Sequence, residues 1–134
     1  PLILTPHPGE MARLIRCTAK EVQEDRIGVS RNFSQSHHVY LALKGHRTLI
    51  ATPKGEVFID PTGNPGMASG GTGDVLTGMI GGLVCQGLDI LPSLQIAVYL
   101  HGMAGDEGAQ EKGEKSLIAT DIIEKIPPLL KGRI

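Results

Sequence analysis

Tryptophan is absent from the 134 residues and aromatics amount to 3%, so a base-stacking platform for single-stranded nucleic acid has almost nothing to be built from. An excess of one charge is missing too, since 13 basic against 14 acidic side chains leave a net charge of -1. That excludes nucleic-acid binding driven by bulk charge, a highly charged disordered tail and a polybasic membrane anchor. Cys17 and Cys85 are the only two cysteines and lack CxxC spacing. This argues against a disulfide scaffold or zinc site and for reduced core thiols in a cytoplasmic setting. No apolar run nears the ~20 residues of a membrane helix, because charges, glycine or proline interrupt each one. A soluble chain without membrane or nucleic-acid partners is expected.

What is abundant is glycine, with 18 residues, joined by 9 prolines. Dispersed, they would indicate low-complexity sequence; clustered beside apolar runs, they mark loops where backbone approaches a ligand. The length allows one domain, or part of one. An apolar run, Leu2-Ile3-Leu4, follows Pro1 directly with no leader-like segment before it, which reads as a start inside a fold.

Residues 2–5 read as a buried strand broken by Pro6-His7-Pro8-Gly9, ahead of a helix over 10–16 with Met11, Leu14 and Ile15 on one face. Residues 20–38 carry Val22, Ile27, Val29 and Phe33 among polar side chains, which fits one or two surface helices. Three strands are predicted over 39–43, 48–51 and 57–60, the last two joined as a hairpin through Pro53-Lys54-Gly55. A glycine-rich loop over 61–72 then leads into a helix carrying Val75, Leu76, Met79, Ile80, Leu83 and Val84, with Gly87 at its C-cap. A further helix is expected over 93 to about 109. Thr120 or Asp121 caps a last one that stops near Pro127-Pro128. Strands mixed with such helices indicate an α/β layer fold.

Nine of the eighteen glycines lie between Gly63 and Gly87. In Ser69-Gly70-Gly71-Thr72-Gly73-Asp74, small residues leave backbone N–H groups uncovered where a helix begins, and these point with the positive end of the helix dipole at one spot. That is an anion site, suited to phosphate. It lacks the Lys-Ser/Thr ending of a Walker loop and the G-x-G-x-x-G spacing of a dinucleotide fold. Asp74 is either a favourable first-turn charge or a general base beside the anion site, and four neighbouring loop glycines favour chemistry. Gly78, Gly81 and Gly82 are expected to permit close helix packing. His37-His38 reads as solvent-facing, His101 as a packed, hydrogen-bonded side chain at a small-residue break, Asp106-Glu107 as a solvated charge pair, and 112–115 as a loop.

The run Asn64-Pro65-Gly66-Met67-Ala68-Ser69-Gly70-Gly71-Thr72-Gly73-Asp74-Val75-Leu76-Thr77-Gly78 resembles the signature of the ADP- or ATP-dependent NAD(P)H-hydrate dehydratases, the C-terminal YjeF-type branch of the ribokinase-like superfamily. Thr5-Pro6-His7-Pro8-Gly9-Glu10-Met11-Ala12-Arg13-Leu14 is similar to that family's other hallmark. Leu43-Lys44-Gly45, Leu100-His101-Gly102-Met103-Ala104-Gly105-Asp106 and Leu117-Ile118-Ala119-Thr120-Asp121 add further matches in the family's order. The resemblance implies a ribokinase-like three-layer α/β/α sandwich, of which residues 1–134 match only the C-terminal half. It implies repair of the S form of hydrated NADH or NADPH by phosphorylation of the ring hydroxyl and elimination of phosphate, with ADP or ATP as donor and Mg2+.

By position, Asp74 would activate the substrate hydroxyl and contact the hydrate, and Gly70, Gly71, Thr72 and Gly73 would form the anion hole. Lys44, Gly45, His46, Arg47 and Thr48 match the nucleotide-binding stretch, although His46 and Arg47 are bulkier than the small residues often found there. His7 would help bind the hydrated coenzyme from the C-terminal edge of a strand. Glu10 would organise magnesium through water, or else simply be a first-turn glutamate. Asn64 either meets nucleotide or forms a turn. An isolated half would leave a sheet edge and apolar helix faces bare, so the N-terminal half of the domain or a companion chain is expected as partner, within a homo-oligomer. Two alternatives remain: a ribokinase-like kinase of thiazole or pyridoxal type, and a non-catalytic nucleotide-binding half-domain.

Overall fold

A computed structural model describes residues 1–133, arranged as two compact units, Pro1–Asp60 and Pro61–Ile134. The first holds β1 (Ile3–Leu4), α1 (Pro8–Ile15), α2 (Ala19–Glu24), α3 (Arg26–His37), β2 (Tyr40–Leu43), β3 (Leu49–Ala51) and β4 (Val57–Ile59). The strands form one sheet in the order β1-β2-β3-β4. β1 pairs with β2 in parallel, and the other pairings are antiparallel. A parallel pair needs a crossover, and α1 to α3 supply it.

The register explains the core. Leu41 faces Ala51 and Leu43 faces Leu49, and these four pack with Met11, Val22 and Phe33. Ala42 and Ile50, on the opposite face, are buried as well, which is why β2 and β3 read as continuous apolar runs instead of alternating ones. Gly55, with φ of 87°, turns the β3–β4 hairpin, and its N–H donates to Thr52 O at 2.9 Å. One expectation fails in α1, where Met11 is fully buried but Leu14 is half exposed. At about 100° per residue, the inward arc runs through Met11, Ile15 and Ala12, and Leu14 falls roughly 60° beyond its Met11 edge.

The second unit holds a 3-10 turn at Pro65–Met67, α4 (Thr72–Cys85), α5 (Ile90–Lys112), a second 3-10 turn at Glu114–Ser116, and α6 (Ala119–Leu130). Leu100, Ala104, Leu117, Ile122 and Leu129 form its core, with Met67, Val75 and Met79 against them. Gly87 follows the end of α4 with φ of 93°. α5 exceeds its predicted span at both ends, and Lys112 lies in its last turn instead of in a loop, with Nζ 2.5 Å from Asp121 Oδ1.

α6 also departs from expectation. Its N-cap position is Ile118; Asp121 sits three residues inside and accepts from Ile118 N at 3.0 Å. The Lys112 ammonium and this N–H hold the Asp121 carboxyl below its ordinary pKa. The helix runs through Pro127 and Pro128 to Leu130. Those prolines withhold N–H groups from the carbonyls of Ile123 and Glu124, which belong to exposed residues and can be satisfied by water. Leu129, buried in the core, anchors the final turn.

Within the described residues the α4 glycines make no close packing, since a Cβ built on Gly78, Gly81 or Gly82 meets no described atom within 4 Å. Close approach belongs to α5 instead. A Cβ on Gly102 would stand 1.9 Å from Thr62 Oγ1 and 2.9 Å from the Thr62 backbone carbon, and one on Gly105 would overlap Met67. No helix of the described residues is long and apolar enough to cross a membrane.

Gly102→Ala tests this close approach. Helix propensity alone would favour alanine by about 1 kcal/mol, whereas forcing a methyl against Thr62 backbone costs about 1–3 kcal/mol. Net destabilisation in urea unfolding is therefore expected; a gain in stability would contradict the packing.

Candidate active site

In the first unit, parallel pairing brings the C-terminal ends of β1 and β2 to one edge. Lys44 N, just beyond β2, donates to Pro6 O, just beyond β1, at 2.9 Å. His7 caps α1, its Nδ1 accepting from Gly9 N at 3.1 Å and Glu10 N at 3.2 Å, while Glu10 Oε2 accepts from His7 N at 2.8 Å. This is a capping box with an imidazole in the serine or threonine position. Because Nδ1 accepts, the ring proton sits on Nε2, on a side chain 53% exposed. Lys44 Nζ lies 3.9 Å from Glu10 Oε2. The His7 N–H, and less strongly the Lys44 charge, hold the Glu10 carboxyl below its ordinary pKa, so it is anionic at neutral pH. His7, Glu10 and Lys44 thus form one cluster.

Among the described residues no three His, Cys, Asp or Glu side chains gather as a metal site. A magnesium ion held mainly by phosphates and water needs only one or two carboxylates, and the half-exposed, anionic Glu10 fits that demand. His37 is occupied elsewhere: its ring stacks on Phe33 with centroids 4.2 Å apart, and His38 ends α3 in the left-handed region.

The stretch after Lys44 is organised by a residue the sequence did not single out. Arg26 Nη1 donates to His46 O at 2.6 Å and Arg47 O at 3.3 Å, and Nη2 donates to Leu43 O at 3.2 Å. Burial pulls the Arg26 pKa below its ordinary value. Gly45 has φ of 149°, and a Cβ there would stand 3.0 Å from Arg26 Nη2. His46 and Arg47 expose their side chains while their carbonyls face Arg26. Both line an open recess of about 360 Å³ with Asp25, Ile27 and Ile59. Thr48 Oγ1 donates to Gly45 O at 3.4 Å.

The glycine loop lies in the second unit. At its start Gly63 N and Asn64 Nδ2 donate to the two oxygens of Asp106, at 3.0 and 2.8 Å. Asn64 Oδ1 accepts from Gly66 N at 3.0 Å, so the Asn64 side chain is committed to the turn. Asp106 is accordingly no mere solvated charge beside Glu107: it ties the loop to α5. At the loop's end Thr72 Oγ1 lies 2.7 Å from Met67 O and 2.9 Å from Ser69 O, which turns the hydroxyl inward. His101 is buried in an unbroken α5, and its Nε2 is 2.9 Å from Thr72 O.

Gly71 precedes α4 with φ of 90°. No described acceptor lies against the amides of Gly70, Gly71 or Gly73, and a Cβ on Gly70 would meet no described atom within 4 Å. Asp74, in the first turn of α4, is exposed and forms no ion pair with a described residue. Unpaired amides at a helix N-terminus suit an anion, and an unengaged carboxylate one residue on can accept a proton.

Residues 1–128 match the family model described as NAD(P)H-hydrate dehydratase. A bifunctional NAD(P)H-hydrate repair enzyme of Moorella thermoacetica is 50% identical over 132 residues, covering 98% of this chain and 25% of that protein. The crystal structure of an ADP/ATP-dependent NAD(P)H-hydrate dehydratase from Bacillus subtilis, co-crystallized with ATP/Mg2+, aligns with a TM-score of 0.94 at 38% identity. It covers 98% of this chain and 48% of that one. A ribokinase-like superfamily protein of Enterococcus faecalis aligns with a TM-score of 0.82 at 33% identity, covering 96% and 43%. The chain therefore spans about half the length of these solved relatives and a quarter of the bifunctional enzyme. A family match over nearly every residue and close structural agreement at 38% identity give the same answer: the chain has a ribokinase-like α/β fold and belongs to the NAD(P)H-hydrate dehydratase family.

Proposed function

We propose that this chain is the C-terminal half of a ribokinase-like domain that dehydrates the S form of hydrated NADH or NADPH at the expense of ADP or ATP. The observation that carries this is the run of unpartnered amides at Gly70, Gly71 and Gly73 immediately before the exposed Asp74. Asp74 takes the proton of the ring hydroxyl as its oxygen attacks the terminal phosphorus of the nucleotide. The bond from that phosphorus to the bridging oxygen breaks, and the amides meet the charge on the moving phosphoryl group. The phosphate ester then leaves as inorganic phosphate, pushed by the ring nitrogen lone pair, and loss of a ring proton restores the coenzyme. Hydroxide is a poor leaving group and phosphate a good one, which is why a nucleotide is spent.

In this reading His7 presents its Nε2–H to the hydrated coenzyme, and residues 44–48 approach the nucleotide through a backbone that Arg26 holds in place. A bound magnesium ion would neutralise charge on the transferring phosphates, with Glu10 orienting its water. The His7-Pro8-Gly9-Glu10 block, and the relatives' names, favour this reaction over a thiazole or pyridoxal kinase.

Asp74→Asn in the full-length protein is expected to lower kcat by about 10²–10⁴-fold with nucleotide affinity retained, followed as NADPH regenerated from its hydrate with ADP or ATP. Unchanged turnover would remove Asp74 as the base, and a wild-type protein that leaves the hydrate intact would end the reading.

The half-domain reading is supported by the coverage of about half of each solved relative. It also fits the bare face of Gly78, Gly81 and Gly82 on α4 and the exposure of Leu2, Ile59, Ile118 and Ile123. The missing half, or a second chain, covers these surfaces, and the completed domain self-associates. Residues 1–134 expressed alone are expected to aggregate or associate in sedimentation; a monomer that melts cooperatively would refute this.

A further inference from the structure

His101 is a buried imidazole that the reaction above does not use. It lies on α5, 9% exposed, with Nε2 2.9 Å from Thr72 O. A carbonyl oxygen has only lone pairs, so Nε2 must carry the proton. Thr72 is the first residue of α4, and its carbonyl has a lone pair to spare beside the one that accepts a bond within its own helix.

That carbonyl shares a peptide plane with the Gly73 N–H. In a trans peptide the C=O and the following N–H point in opposite directions, and no peptide among the described residues is cis. A donor on the α5 side of Thr72 O therefore sends the Gly73 N–H away from α5, and polarisation through the amide makes that N–H a stronger donor. Gly73 N is one of the three amides without a described acceptor. Thr72 is also the joint of the loop, because its hydroxyl reaches Met67 O and Ser69 O. Fixing its carbonyl sets the frame from which the other loop amides hang.

We propose that His101 is a positioning residue for phosphoryl transfer, holding the Thr72–Gly73 peptide so that the Gly73 N–H meets the moving phosphoryl group. This rests on the function proposed above. A histidine that only filled space would be replaceable by an apolar side chain of similar bulk. One that positions the peptide is replaceable only by a group that brings an N–H to the Nε2 site. Glutamine reaches that far, while asparagine is too short and leucine has no donor.

The test compares His101→Gln, His101→Leu and His101→Asn in the full-length protein, reading kcat, nucleotide KM and the Gly73 amide nitrogen resonance. The Leu and Asn variants are expected to lose on the order of 10²-fold in kcat, the scale of a misplaced catalytic geometry, with nucleotide KM little changed. Their Gly73 resonance should move. The Gln variant should recover most of the rate and return the resonance towards its wild-type position. Wild-type kcat in a Leu or Asn variant, or a Gln variant as slow as these, would overturn the proposal. If the Leu variant does not fold, the Gln and Asn pair decides in the same way. If wild-type protein does not dehydrate the hydrate, the proposed function falls, yet the resonance comparison still decides whether His101 sets the Gly73 peptide.

Discussion

The phosphate site proposed for the glycine loop requires several backbone amides to stay unbonded while the loop holds one shape. The requirements conflict, because backbone polar groups ordinarily fix a loop by pairing with one another, and glycine adds conformational freedom where rigidity is needed. Here the loop's stiffness comes from outside its own ladder. Asp106 grips its start through Gly63 and Asn64, the Thr72 hydroxyl closes its end onto Met67 and Ser69, and His101 holds the Thr72 carbonyl. α5 can come close enough to do this because Gly102 and Gly105 give Thr62 and Met67 room against its backbone. The amides of Gly70, Gly71 and Gly73 are then left without an acceptor among the described residues.

The first unit solves the same problem with different groups. The His7 imidazole takes two amides of α1 at its Nδ1, with Nε2 3.5 Å from Glu10 Oε1 on a half-exposed ring, and Glu10 returns the bond to His7 N. Arg26 binds three carbonyls of residues 43–47, which fixes a glycine-containing turn without consuming its amides. In both units charged or aromatic-ring side chains hold carbonyls and caps, which leaves backbone N–H groups and exposed side chains for the proposed ligands.

What could be read in the sequence follows from interaction range. Strands β2 to β4, the hairpin at Gly55 and the helix after the glycine loop depend on local pattern, and each appears within a few residues of its expected place. The His7–Glu10 spacing was legible as a motif, although the capping box that explains it needs an imidazole where serine or threonine is usual. Arg26 and Asp106 were not legible. Their partners lie 17–21 and 42–43 residues away in the chain, and nothing local separates them from ordinary surface charges. The close approach at Gly102 and Gly105 of α5 was not legible for a similar reason, since composition cannot say which helix has a neighbour. Pro127 and Pro128 looked like a helix stop because their cost is local, whereas Leu129 burial, which outweighs it, is tertiary.

In the proposed function the amides of Gly70, Gly71 and Gly73 meet the phosphate. The most direct measurement is therefore an amide resonance titration of isotopically labelled protein with ADP. The resonances of Gly70, Gly71 and Gly73 should move together and saturably, with Gly87, an exposed glycine beyond the C-terminal end of α4, left unmoved. Saturation of binding with the three loop amides unshifted would contradict the phosphate cradle.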